Sequence, residues 1–211
     1  MDEVLKKIQS LGLMAVIRAS GPQEVERIVE ALVAGGVTGI EVTFTTPDAL
    51  EAVEDLADQY GDRIVLGMGT LTRPEHARQA REVGAQFLVS PHIEEELARA
   101  MAETQLPYMM GALTPTEIVR AYRLGCRVVK VFPGSLVGPG YLKSLRGPYP
   151  EVAVMPTGGV NLDNLADWMA AGAFAVGVGS GLFPHRWVQE GLYSKITERA
   201  EAFQSLIQSL P

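Results

Sequence analysis

Leu124-Gly125-Cys126-Arg127-Val128-Val129-Lys130-Val131-Phe132-Pro133 runs from the end of a helix straight into an apolar, β-branched segment that reads as a buried strand. Glycine suits the helix C′ position because it turns to positive φ without steric cost. The same junction recurs as Ala34-Gly35-Gly36, Val83-Gly84-Ala85 and Ala171-Gly172-Ala173. These four junctions precede the second, fourth, sixth and eighth of the strands expected near 13–18, 37–43, 63–68, 86–90, 106–110, 127–132, 151–156 and 173–178. Segments of helical periodicity lie between them, among them Gln23–Ala34, Pro47–Tyr60, Pro74–Val83 and Ile93–Glu103. Ser20, Thr46, Thr72 and Thr114 or Thr116 are candidate N-caps, with Pro22, Pro47 and Pro74 close to first-turn positions. Strands that alternate with helices, none paired as hairpins, imply parallel pairing through helical crossovers. The expected fold is α/β, a (β/α)8 barrel of one domain over residues 1–211. A doubly wound open sheet is the alternative, but no Gly-x-Gly-x-x-Gly follows the first strand.

Composition narrows the function. The chain has 211 residues, 47% hydrophobic and 20% charged, as in an ordinary globular protein. A formal charge of −7 argues against nucleic-acid and anionic-membrane partners, which need a basic surface. Residues 1–11 are expected to form a short amphipathic helix without the apolar core of a signal peptide. No stretch approaches the ~18 consecutive apolar residues of a membrane span. Cys126 is the lone cysteine, so neither a disulfide framework nor a thiolate metal site is expected. The expectation is a cytoplasmic location.

Lys130 is the anomaly in the opening stretch. An ammonium taken out of water costs several kcal/mol unless it is paired or loses its proton. As a free amine in an apolar pocket it condenses with carbonyl compounds to a Schiff base. By itself the run also admits a lysine that snorkels to solvent or pairs structurally with a carboxylate. Glu41, in Ile40-Glu41-Val42-Thr43, interrupts the second strand in the same way. Barrel active sites lie at the C-terminal strand ends, so both residues are candidates for acid–base work.

Two glycine turns follow the seventh and eighth strands, Pro156-Thr157-Gly158-Gly159-Val160 and Gly177-Val178-Gly179-Ser180-Gly181. Exposed backbone N–H groups in such turns cradle phosphate, and these two strands are where such barrels often hold one. Gly67-Met68-Gly69-Thr70 ends the third strand with a hydroxyl suited to a carboxylate, and Arg18 ends the first with a guanidinium suited to a carboxylate or phosphate. His76, His92 and His185 have no metal-ligand spacing. His76 is expected on the solvent face of a helix, and His92 near the rim of the site.

Glu41-Val42-Thr43-Phe44, Gly67-Met68-Gly69-Thr70, Val89-Ser90-Pro91-His92, Val129-Lys130-Val131-Phe132-Pro133, Pro156-Thr157-Gly158-Gly159-Val160 and Gly177-Val178-Gly179-Ser180 together resemble the successive signatures of one family. It is the 2-keto-3-deoxy-6-phosphogluconate (KDPG) and 4-hydroxy-2-oxoglutarate aldolases. The resemblance runs in order from Met14 to Ser180. It implies that Lys130 forms the Schiff base and Glu41 is the general acid/base. It also implies that Thr70 binds the pyruvyl carboxylate, while Thr157, Gly158, Gly159, Gly179 and Ser180 line the site and its phosphate end. Pro91, Phe132 and Arg18 complete the expected substrate-binding set. A class I aldolase needs no metal or other cofactor, and such enzymes are typically homotrimers acting on a small 2-keto acid phosphate. One departure stands out: many members carry arginine where this chain has Thr45, and Arg18 is the expected replacement. The galactonate stereoisomer as substrate, or a non-catalytic phosphosugar-binding barrel, are the alternatives. A barrel of the thiamine-phosphate-synthase kind would need an acidic metal cluster that the sequence does not show.

Overall fold

The computed structural model describes residues 3–210. Eight parallel strands form the sheet: β1 (Leu13–Ile17), β2 (Gly39–Thr43), β3 (Val65–Gly69), β4 (Phe87–Ser90), β5 (Tyr108–Ala112), β6 (Val128–Val131), β7 (Ala153–Pro156) and β8 (Val176–Val178). Sequential strands pair from β1 to β7, and β8 pairs with β1. A bridge between Thr157 and Gly177 and a bond from Phe174 N–H to the Val154 carbonyl bring β7 against β8 and close the barrel.

Helices α2 (Pro22–Ala34), α3 (Ala49–Tyr60), α4 (Pro74–Glu82), α5 (Glu95–Glu103), α6 (Pro115–Arg123), α7 (Pro139–Arg146) and α8 (Leu165–Ala170) follow β1 to β7 in turn. After β8 the outer layer is completed by a short α9 (His185–Gln189) and the long α10 (Tyr193–Ser209). α10 packs on α2, where the Thr197 hydroxyl donates to the Ala31 carbonyl at 3.0 Å. The expected N-terminal helix is α1 (Glu3–Leu11); the first two residues of the predicted span lie outside the described residues. Among the described residues no helix is long and apolar enough to cross a membrane.

The glycine junctions behave as their sequence implies, with φ of +85° at Gly36, +89° at Gly84, +104° at Gly125 and +91° at Gly172. Of the N-cap candidates only Thr114 holds, in a full capping box with Glu117 ahead of Pro115. Gly21, Asp48 and Arg73 occupy the cap positions expected for Ser20, Thr46 and Thr72. Thr46 instead accepts a 3.1 Å bond from Ala19 N–H, tying the β2–α3 loop to the end of β1. Thr72 N–H donates to His76 Nδ1 at 3.3 Å, a local bond across the start of α4 that uses the backbone of Thr72 and not its hydroxyl.

Two buried layers result. Ile40, Val42, Val129 and Val131 point outward into the sheet–helix core. The inward set, including Met14, Val65, Phe87, Val89, Met109, Val128 and Met155, packs on Leu5 and Ile8 of α1, which plugs the N-terminal end. Because strand side chains alternate, Val128 pointing inward puts Lys130 inward, and Ile40 and Val42 pointing outward put Glu41 inward.

Candidate active site

β2 and β6 face one another across the eight-stranded barrel, and their two charged residues meet above the plugged floor. Lys130 Nζ lies 3.6 Å from Glu41 Oε1. Lys130 is 5% exposed and Glu41 0%, so the lysine reaches the cavity while the carboxylate sits behind it. Neither Glu41 oxygen accepts a hydrogen bond from any described residue. A structural buried ion pair is stable only when hydrogen bonds fill its remaining lone pairs. This carboxylate is held by packing and by its approach to Lys130.

Missing side chains make the space. A Cβ on Gly69 would overlap Glu41 Oε1, and one on Gly67 would enter the Phe87 ring. Gly177 likewise leaves room for the Thr157 hydroxyl, whose oxygen is buried without a hydrogen-bond partner. These glycines of β3 and β8 admit the inward side chains of neighbouring strands.

Above the pair opens a cavity of about 560 Å³ at the C-terminal strand ends. Lys130 and all nine residues expected to bind substrate line it: Arg18, Thr70, Pro91, Phe132, Thr157, Gly158, Gly159, Gly179 and Ser180. Glu41 is the one expected site residue not on its wall. The Phe132 ring stands 5.3 Å from Lys130 Nζ, a cation–π distance. A larger cavity of about 720 Å³ opens at the opposite end, among Leu5, Tyr108, Arg127 and Glu151, and holds none of the expected residues.

The two glycine turns are built as one unit. Gly158 and Gly159 take φ of +89° and +81°, which only glycine adopts freely. Asn164 fixes the first turn by donating to the Gly159 carbonyl at 2.9 Å. A Cβ on Gly181 would overlap the Val160 carbonyl, so the second turn lies directly against the first. Arg199, over the Trp187 ring, holds the second turn by donating to the Gly181 carbonyl at 3.0 Å.

At the other side, Thr70 has φ of +60°, a conformation that costs a non-glycine residue about 1–3 kcal/mol and that recurs at functional sites. Arg18 Nε donates to Thr45 Oγ1 at 2.7 Å, and Thr45 Oγ1 lies 2.9 Å from Thr43 Oγ1. The Arg18 side chain thus lies against Thr45, where the resemblance leads one to expect an arginine.

His76 is not solvent-facing: it is 6% exposed, and its ring stacks on Phe44 with centroids 4.1 Å apart. The α4 face that carries it turns onto the β2–α3 loop, a tertiary placement that helical periodicity does not show. His92 lies in a small neighbouring cleft that shares Pro91 and Phe132 with the main cavity. Among the described residues no group of three or more His, Cys, Asp or Glu side chains could hold a metal ion.

Thr43, Val16, Glu24 and His185 also line the cavity, though none of them is among the residues expected to bind substrate. Thr43 was within reach, because it lies two residues beyond Glu41 on the same strand face. Glu24 and His185 belong to α2 and α9, and nothing in strand alternation announces where those helices top the barrel.

The family model for KDPG and KHG aldolase matches residues 2–199. The 2-dehydro-3-deoxy-6-phosphogalactonate aldolase of Escherichia coli (strain K12) is 33% identical over 174 residues, 82% of this chain and 85% of that protein. The 2-dehydro-3-deoxy-phosphogluconate aldolase of Pseudomonas aeruginosa is 33% identical over 185 residues, 87% of this chain and 84% of that protein. Among solved structures, KDPG aldolase from Legionella pneumophila, with pyruvate captured as a covalent carbinolamine, superposes with a TM-score of 0.88 at 29% identity, covering 95% of this chain and 98% of that one. The barrel, the inward lysine and glutamate, and the match over nearly the whole chain agree: the chain belongs to the KDPG and KHG aldolase family.

Proposed function

We propose that the protein is a class I, Schiff-base aldolase that cleaves KDPG to pyruvate and glyceraldehyde 3-phosphate, and that also accepts 4-hydroxy-2-oxoglutarate. The observation that carries the reading is Lys130 on the cavity wall with the unbonded Glu41 carboxylate 3.6 Å behind it. The Legionella pneumophila relative, with its pyruvate carbinolamine, supports covalent chemistry in this family.

In the proposed cycle Lys130, as the free amine, attacks the C2 carbonyl, and loss of water from the carbinolamine gives a protonated imine. Glu41, directly or through a water, removes the C4 hydroxyl proton. The C3–C4 bond breaks, its electrons pass to the imine, and the aldehyde leaves behind a pyruvate enamine. Glu41 or its water returns a proton to C3, and hydrolysis releases pyruvate and regenerates Lys130. Every atom and electron is accounted for without a metal or other cofactor.

Arg18 and Thr70 hold the pyruvyl carboxylate in this reading. The amides of the interlocked turns at Gly158, Gly159 and Gly179, with the Ser180 hydroxyl, hold the phosphate. Thr157 lines the wall between the two ends with its hydroxyl turned against Gly177, and Pro91 and Phe132 form the apolar wall. The Escherichia coli relative favours a second reading, the galactonate stereoisomer as substrate, because the two configurations differ at C4 and neither end of the cavity senses that centre. Residues 1–211 act as one cytoplasmic domain in this account. A homotrimer fits the family and the likeness to a cage built by fusing symmetric oligomeric domains.

The test is aldehyde release measured in parallel from KDPG, its galactonate stereoisomer and 4-hydroxy-2-oxoglutarate. Preference for KDPG supports the assignment. Equal or faster release from the galactonate isomer replaces the substrate while leaving the chemistry, and no release from any of the three overturns the reading.

A further inference from the structure

We propose that His76 is a positioning residue for the carboxylate end of the substrate, the post against which the β2–α3 and β3–α4 loops are both fixed. The inference rests on the reading above in placing the pyruvyl carboxylate at Arg18 and Thr70.

Both loops converge on one ring. Phe44, between Thr43 and Thr45, lies flat on the imidazole with an interplanar angle of 11°. Phe44 N–H donates to the Gly69 carbonyl at 2.9 Å, so the aromatic stack and the backbone bond pin the same residue. From the other loop, Thr72 N–H donates to His76 Nδ1, two residues after Thr70 with its positive φ. Leu71 N–H is in turn bonded to the Val89 carbonyl at 3.1 Å. Without the ring, Thr45 loses the anchor on its neighbour Phe44, and Arg18, held by Thr45 Oγ1, loses its reference point. The Thr70 side loses its support at the same time.

The ring is suited to this task as a neutral plate. Burial pushes its pKa down, the nearby Arg73 cation pushes further in the same direction, and Glu75 opposes them. Arg73 Nε and Nη2 lie 3.0 and 2.9 Å from Nε2. A neutral imidazole accepts at one nitrogen only, so Nδ1, facing Thr72 N–H, and Nε2, facing Arg73, do not both accept at once, and an added proton would remove the acceptor altogether. Phe44, the group packed on its face from the facing loop, carries no charge. His76 reaches neither the cavity wall nor Lys130, so it acts only through the groups it holds.

The experiment compares borohydride trapping at Lys130 by pyruvate and by acetone, which offers the same carbonyl without a carboxylate. His76→Leu removes both contacts at similar volume. It should raise the half-saturating pyruvate concentration roughly five- to ten-fold, leave acetone trapping unchanged, and leave the yield at saturating pyruvate intact. His76→Phe keeps the stack on Phe44 but gives up the bond from Thr72 N–H, and should bring pyruvate part of the way back, to within about three-fold of the unmodified protein. Equal losses for pyruvate and acetone, no loss in His76→Leu, or no recovery in His76→Phe would each overturn the proposal. A natural-sequence protein that pyruvate fails to label at Lys130 overturns the aldolase reading itself, and this inference with it.

Discussion

Gly69→Ala should disable the enzyme while leaving the cavity wall untouched. Gly69 is not among the glycines at positive φ, so alanine carries no backbone penalty there. The added Cβ would lie 2.6 Å from Glu41 Cδ and 2.7 Å from Cγ, and would overlap Oε1. Carbon atoms in contact sit about 3.5–4.0 Å apart, so the carboxyl group must retreat by roughly 1 Å. Glu41 is fully buried and no hydrogen bond steers it back towards Lys130. A displacement of about 1 Å in a reacting geometry costs on the order of 100-fold in rate. Overpacking should also lower stability by about 1–3 kcal/mol, which leaves a foldable protein. The assay is steady-state aldehyde release at saturating KDPG, beside urea unfolding of the same preparation. A folded Gly69→Ala protein whose kcat stays within about three-fold of the parent would refute the claim that the position of Glu41 matters.

Three further expectations follow from the same geometry. Glu41→Gln keeps the shape and removes the base, so kcat should fall by roughly 10²–10⁴-fold; a raised KM with near-normal kcat would make the residue a binding group only. Arg18→Ala should weaken pyruvate as well as KDPG, because pyruvate carries the carboxylate but no phosphate, and Thr45→Arg in that background should recover part of the loss; unchanged pyruvate affinity rules out the carboxylate role. Burial pushes the Cys126 thiol up to about 12 from a usual value of 9.0, so its folded state holds the proton that an unfolded chain releases. Its contribution is fully present below about pH 9 and lost as pH rises towards 12, at up to about 1.4 kcal/mol per pH unit, a slope that Cys126→Ala should reduce in denaturation measured from pH 8 to 11.

The barrel was legible because its signals are local. Glycine after each even-numbered crossover helix and an apolar run after each glycine need no tertiary knowledge. Lys130 and Glu41 were legible for the same reason, since a charge inside an apolar strand must point somewhere and alternation says where. Their meeting at 3.6 Å was not, because it depends on the closure of β7 on β8 and on the space left at Gly69. Gly158 and Gly159 announced a turn, but not that Gly181 would press it from the next strand. The loops were the least legible. Thr46 has the side chain of a helix cap, yet a tertiary partner at Ala19 claims it, and the cap position of α4 falls to Arg73 and not to Thr72. His76 looks like a surface residue by helical period until Phe44 covers it.

In the proposed cycle a single lysine forms the imine, and every later step depends on it. The protein has five lysines, Lys6, Lys7, Lys130, Lys143 and Lys195, and only Lys130 lines the cavity at the strand ends. Incubation with pyruvate and borohydride, followed by peptide mass mapping, should place a stable adduct on Lys130 alone, with none formed by Lys130→Ala. An adduct on Lys143, or undiminished aldehyde release by Lys130→Ala, would contradict it.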